Sequence, residues 1–463
     1  PIITNRDVAS PFLVEVQESA VKPIEPVFLD YQKDMSQLKA KSDIPVLYKQ
    51  NVANDLFQLI YVFDMGNNHD KALGTAFDYL EYLGTSDMTP EELKSEFYRL
   101  ACTFYVSPGN ERTYVVLSGL NENMPAAVQL FEKLLADAQV NKEAYTNMTS
   151  DILKARSDAK LNQGQNFSRL MSFAMYGPKS PATNLLTEAE LTNMNPQELV
   201  DRIHNQNSYK HRILYYGPSS SKDLLATINQ YHQVPAALKD IPAGNEYSYL
   251  ETPVTKVLVA PYDAKQIYMA QISNLDKKYD PAIEPIRALY DEYFGGGMNS
   301  IVFQEMRETR GLAYSAWASI MPPSYLKYPY VLRTQIATQN DKMIDAVTTF
   351  NDIINNMPES EAAFKLAKDG LTNRLRTERI IKGDIIWSYI NAQDLGQNVD
   401  PRIKLYNDIQ NMSLKDIVDF QKQWVKGRTY VYCILGDKKD LELDKLKAVG
   451  PIEELTQEQI FGY

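Results

Sequence analysis

The chain has 463 residues, 44% of them hydrophobic and 23% charged, and a formal net charge of -11, which suits two or three soluble globular domains with ordinary cores. No Lys/Arg-rich run offers a phosphate-binding surface, which argues against a nucleic-acid partner. No apolar run reaches the roughly 18 residues that span a bilayer, and residues 1–7 lack the regions of a signal peptide.

The start at Pro1 suggests a processed or cloned fragment, so the compartment stays open between cell envelope and cytoplasm. Residues 1–44, with Pro11, Pro23 and Pro26 and a charged run over 32–41, read as an extended linker with one possible helix over 30–40. A β-rich apolar run follows at 56–63, and a helix ends in the phrase Asp78-Tyr-Leu-Glu-Tyr-Leu-Gly. A short helix at 90–98, a strand at 102–105, a strand ending at 118–121 and a long helix from Met124 come next. Helices dominate from there to a closing strand at 212–217. Proline-marked residues 236–252 form a linker.

The same order of events then recurs. It contains an apolar run at 266–273, a helix ending in Asp291-Glu-Tyr-Phe-Gly-Gly-Gly, a short helix at 302–306, a strand from about Ala313, a strand ending at 338–340, helices, and a closing strand at 429–436. Tyr82 to Tyr293 is 293 − 82 = 211 residues, and Gly217 to Gly436 is 436 − 217 = 219, a period of domain size. Two homologous α+β domains are predicted, at 45–235 and 253–463, each an antiparallel or mixed sheet backed by a layer of helices. Cys102 and Cys433, far apart in apolar contexts, are expected to be buried free thiols.

The most informative stretch is 294–315. Gly295, Gly296 and Gly297 can adopt angles closed to other residues and admit another backbone closely. Asn299 or Ser300 can cap a helix carrying Phe303, Arg307 and Arg310, and Gly311 can end it in the left-handed region before a strand near Tyr314. On residue types alone Arg307 pairs with Glu308 or another nearby acid, and Tyr314 is a core aromatic. In order and spacing, however, the phrase resembles the corresponding motif in the C-terminal domains of the pitrilysin/insulinase zinc peptidases, the inverted zincins. That resemblance implies the metallopeptidase fold of the processing peptidases. It also implies that Arg307 and Tyr314 reach substrate carbonyls and the oxyanion at a zinc held by a different domain. Gly295, Gly296, Gly297 and Phe303 would line the peptide chamber. The glycine-rich loop of the mitochondrial processing peptidase's non-catalytic subunit is similar.

Such an enzyme needs His-x-x-Glu-His on a helix, plus a glutamate from a later helix. His69, His204, His211 and His232 contain no pair at that spacing. At the equivalent place stand Asp78, Glu81 and Tyr82, with Asp158 near the third-ligand position, a set unsuited to zinc. His204 and His211 read as solvated loop histidines. No Gly-x-Ser-x-Gly elbow, reactive-Cys context, P-loop or dinucleotide fingerprint is present. The resemblance therefore implies a non-catalytic C-terminal half with no metal of its own, zinc residing in an N-terminal catalytic half or a separate catalytic subunit. The rival reading is an inactive partner or scaffold subunit. Strand 56–63 is a candidate edge for binding a peptide by strand addition.

Overall fold

The computed structural model describes residues 10–19, 22 and 24–463. Residues 1–7 and Pro23, which entered the sequence reading, lie outside them. The first sheet contains β1 (Ser36–Lys39), β2 (Pro45–Gln50), β3 (Leu56–Phe63), β4 (Cys102–Pro108), β5 (Thr113–Leu120) and β6 (Arg212–Gly217), in the order β1-β2-β6-β3-β5-β4. The second contains β7 (Lys256–Pro261), β8 (Gln266–Lys278), β9 (Ser315–Met321), β10 (Pro329–Gln339), β11 (Val431–Gly436) and β12 (Ile452–Glu454), in the order β12-β7-β11-β8-β10-β9. The block β2-β6-β3-β5-β4 has the same topology as β7-β11-β8-β10-β9, each with one parallel pair, β2 with β6 and β7 with β11. The repeats differ only at the remaining edge. It is filled by antiparallel β1 from the N-terminal side in one sheet and by parallel β12 from the C-terminal side in the other.

Side chains alternate between sheet faces, and both faces are buried here, which is why strands such as Leu56–Phe63 are almost continuously apolar. Leu59, Tyr61 and Phe63 point toward the first domain's own helices, whereas Ile60 and Val62 point the other way. That second face is closed by the other domain. Ile385, Ile386 and Ile390 of the helix Asp384–Asp394 pack on Leu47, Ile60, Val62, Val116 and Leu214 of the first sheet. Phe167, Leu170, Met171 and Ala174 of the helix Gln163–Tyr176 pack reciprocally on Leu258, Ala270, Ile272 and Cys433 of the second. The two helices are 384 − 163 = 221 residues apart, the repeat offset again.

Three expectations are corrected. The segment 1–44 is not simply an extended linker, and the helix expected over 30–40 is confined to Tyr31–Asp34, after which the chain enters β1. A four-residue turn has too few internal hydrogen bonds to persist alone, and it is held by tertiary contacts. Leu29 donates its amide to Asp400 Oδ2 at 2.9 Å, and the Tyr31 hydroxyl meets Ser388 Oγ at 2.9 Å. Strand β3 is not an edge, because β5 and β6 flank it; the edge strands are β1 and β4 in the first sheet and β12 and β9 in the second. The expectation for the cysteines holds: Cys102 and Cys433 are buried and free.

Candidate functional site

The helix Glu284–Phe294 ends against β9, and this contact dictates the glycines. A Cβ on Gly295 would lie 2.2 Å from the Ala318 carbonyl oxygen, and one on Gly296 would lie 2.8 Å from that of Asp291, while Gly297 faces open space. None of the three has a positive φ. The run is therefore required for backbone approach at its first two positions and not for unusual angles, a correction to the expected turn. Asp291 fastens the same junction. It accepts hydrogen bonds from the Ile320 amide and Ser319 hydroxyl at 2.9 Å and from Arg287 Nη1 at 2.7 Å. Burial pushes its carboxyl up to about 6 against the pull of Arg287.

Ser300 caps the next helix, its Oγ accepting from the Phe303 amide. One turn, Ile301–Phe303, widens into a π-turn over Gln304–Thr309. Such a turn re-aims side chains relative to a regular helix, and it is a common feature of functional sites. Ile301, Val302 and Met306 anchor the unit in the core. Gly311, with φ 58°, closes it in the left-handed region.

On the outer side Arg307 lies between two rings, its guanidinium carbon 5.1 Å from the Phe303 centroid and 5.2 Å from the Tyr314 centroid. Tyr314 is 76% exposed, so it is not a core aromatic. Its chain position, one residue before β9, puts it at the start of that strand's free edge. Glu308 Oε1 is 3.8 Å from Arg307 Nε, at the limit of an ion pair. Arg310 is directed elsewhere, toward Thr349 at 3.3 Å and Glu305 at 3.6 Å. The structure thus brings Phe303, Arg307 and Tyr314 together, with a planar charge and a phenol both accessible. Gly295 and Gly296 position this unit from beneath without facing the same space.

The region equivalent to the family's metal site has a different character. Asp78 lies on the helix Leu73–Leu80, but Glu81 and Tyr82 follow its end and are exposed. The helix Lys142–Lys160 does cross this region, presenting Arg156 to the cavity, while Asp158 is exposed and does not line it. A phenol, two carboxylates off a common face and a facing guanidinium do not fit zinc. Among the described residues no group of three or more His, Cys, Asp or Glu is placed to hold a metal ion. No helix among them is long and apolar enough to cross a membrane.

His211 corrects the loop reading. It is buried, bonded through Nε2 to His232 Nε2 at 2.9 Å and through Nδ1 to the Tyr209 carbonyl at 2.7 Å. Burial and neighbouring His232 push its pKa down to about 3. His204 remains exposed on the helix Gln197–Asn205 and meets the Ala138 carbonyl at 3.1 Å.

Comparison with known proteins places these features. Residues 213–371 match the family described as the peptidase M16 inactive domain, a stretch that begins in β6 and ends in the helix Glu361–Thr377, across the join between the domains. A Helicobacter pylori protein, the non-peptidase homolog YmxG, is 23% identical over 422 residues, 86% of this chain and 93% of that protein. An uncharacterized zinc protease of Rickettsia felis is 20% identical over 263 residues, 54% of this chain and 60% of that one. Among solved structures, the peptidase M16 inactive domain from Pseudomonas fluorescens aligns with a TM-score of 0.67 at 15% identity, over 87% of this chain and 98% of that chain. The periplasmic protease PqqL from Escherichia coli aligns with a TM-score of 0.69 at 13% identity, over 90% of this chain and 48% of that chain.

Proposed function

Because the chain belongs with the M16, or pitrilysin/insulinase, peptidases and carries their inactive domain, we propose that it serves as the non-catalytic half of a peptide-processing assembly, forming one wall of the chamber. In this reading zinc and its activating glutamate reside in a catalytic half or subunit. This chain supplies Arg307 and Tyr314 to a substrate held there. The observation that carries the proposal is the exposed stack of Phe303, Arg307 and Tyr314 beside the free edge of β9. A guanidinium offers forked donors to carbonyl oxygens, and a phenol offers one more to a developing oxyanion. A peptide pairing with β9 would run past both.

A second reading is favoured by one observation, the 93% coverage of a relative named as a non-peptidase homolog. Here the chain is a separate subunit that binds peptides or a catalytic partner without contributing to cleavage. Peptide-cleavage assays with an M16 catalytic partner, in the presence and absence of this chain, separate the two. The first reading expects cleavage to depend on this chain and to fall with the Arg307→Ala variant. The second expects binding without that dependence. Stoichiometric zinc together with turnover by this chain alone would overturn both.

A further inference from the structure

The cavity beside the helix Leu73–Leu80, of 430 Å³, is walled by cations. Arg156 comes from the helix Lys142–Lys160 and Arg169 from the helix Gln163–Tyr176. Their guanidinium carbons lie over neighbouring rings, Arg156 at 5.1 Å from the Tyr463 centroid and Arg169 at 5.6 Å from that of Phe461, and the two rings are 5.5 Å apart. Arg169 also donates to the Ala182 carbonyl. Neither arginine has a carboxylate within ion-pair distance among the described residues. Arg112 (with Asp64 and Asp394), Arg287 (with Glu284 and Asp291) and Arg402 (with Asp400) are part-buried and paired, whereas Arg333 and Arg428 resemble Arg156 and Arg169 in having no carboxylate partner among the described residues; what sets Arg156 and Arg169 apart is that both line one cavity.

The remaining charges around the cavity are accounted for. Lys71 is held by both oxygens of Glu190, at 2.6 and 2.8 Å, and Lys160 lies against Glu458 and the Tyr463 ring. Glu188 reaches Arg156 only through its field, outweighed by burial, which together with the repulsion of Arg169 disfavours the charged form. Among the described residues Asp78 is the one Asp or Glu lining the space, and burial and Glu81 push its carboxyl upward. Thr75 also lines the cavity. Two unpaired guanidinia in a concave, partly desolvated site are the donor arrangement that carboxylate and phosphate groups take up, each fork giving parallel N–H bonds.

We propose that this cavity is an oxyanion-binding site, in which Arg156 and Arg169 clamp a phosphate or carboxylate group and Thr75 supplies a further donor. The site is separate from the Arg307 and Tyr314 cluster and does not depend on its role.

Inorganic phosphate, titrated into the full chain at ionic strength held constant with sodium chloride, is the first probe, read by calorimetry or by chemical-shift changes. Saturable binding is expected, weakened at least about tenfold in Arg156→Gln and in Arg169→Gln. Asp78→Asn, which leaves both arginines in place and removes the facing carboxylate, should bind more tightly, so the test survives if the arginine variants misfold. Competition by a Glu-rich peptide, but not by its Gln counterpart, would assign the site to peptide carboxylates. Phosphate binding without such competition would assign it to a free phosphate group. No saturation beyond the chloride control, equal affinity in the arginine variants, or weaker binding in Asp78→Asn would each overturn the proposal.

Discussion

Arg307 and Tyr314 face each other across 5.2 Å, guanidinium carbon to ring centroid, on a surface where Tyr314 is 76% exposed. At an exposed site a cation–π contact stabilises by about 0.5–1 kcal/mol, enough to hold the two side chains side by side and too little to lock them. A substrate carbonyl can therefore take up donors from both without breaking a strong native pair. The Phe303 ring, 5.1 Å from the guanidinium carbon, adds a second contact of the same kind.

The first prediction separates chemistry from stability. In the assembly with a catalytic partner proposed above, Arg307→Ala and Tyr314→Phe should each lower kcat, on the order of 10²-fold where an oxyanion donor is lost. Unfolding free energy should fall by no more than about 1–2 kcal/mol in Arg307→Ala, which removes two cation–π contacts, and by less in Tyr314→Phe, which keeps the ring. Arg307→Lys should not restore activity, since an ammonium lacks the planar fork. Bound zinc in the partner, measured in parallel, should be unchanged. An equal loss of stability and activity would mean that the cluster is structural.

Gly295→Ala tests the junction beneath the cluster. The added methyl would lie 2.2 Å from the Ala318 carbonyl oxygen and 2.5 Å from its nitrogen, both backbone atoms of β9 that have no rotamer with which to yield. A loss of roughly 1–3 kcal/mol is expected by analogy with overpacked cores, read as a shifted denaturant midpoint. Gly297→Ala, in open space, should leave the midpoint in place.

The parts of this molecule that were legible in the sequence are those written in local pattern. The apolar run at 56–63 announced a strand, though not that it is central, Asn299 or Ser300 and Gly311 announced the ends of a short helix, and the offset between the phrases around Tyr82 and Tyr293 announced a repeated domain. What stayed hidden depends on which surfaces meet. Nothing in the helix Asp384–Asp394 says that its isoleucines cover the other domain's sheet. The burial of His211 depends on His232, 21 residues away, and on Glu132, 100 residues from His232, so a polar local context misled. Arg156 drew no notice because its neighbours in sequence are ordinary surface residues; only the fold turns it into a cavity.

The exchanged helices yield a prediction about cooperativity. Ile386 is almost wholly buried against the first sheet although it belongs to the second half of the chain. Ile386→Ala should cost about 2–5 kcal/mol, the range for large-to-small core changes. Hydrogen exchange should quicken in β2, β3 and β6 of the first domain as well as in its own helix. Faster exchange confined to the second domain would show that the contact does not couple the two.

The buried histidines set a pH dependence whose sign follows from their hydrogen bonds. His211 donates from Nδ1 to the Tyr209 carbonyl, and because burial and His232 push its pKa down to about 3 the ring is neutral near pH 7, so its Nε2 accepts from His232 Nε2. His232 Nδ1 meets Glu132 Oε1 at 2.6 Å, while Glu132 Oε2 accepts from Asn207 Nδ2 and the Gln233 amide. A second proton on His211 would place a charge in a buried site beside His232, which is why its pKa is depressed to about 3. Unfolded histidine titrates near 6.5. Between about 3 and 6.5 the unfolded chain therefore binds the proton that the folded one refuses. The stability contributed by neutral His211 is complete above 6.5 and is lost as pH falls through that window, by at most about 1.4 kcal/mol per unit. Asp291 slopes the other way over part of the range, its raised carboxyl favouring the fold at low pH. The informative quantity is thus the difference between wild type and His211→Phe, measured by urea unfolding at several pH values. Phenylalanine leaves His232 without its partner and should be destabilising at pH 7, by roughly 1–3 kcal/mol. It does not titrate, so the gap should narrow steadily toward pH 4. A gap that stays constant across the window would mean that His211 is not held neutral by its burial.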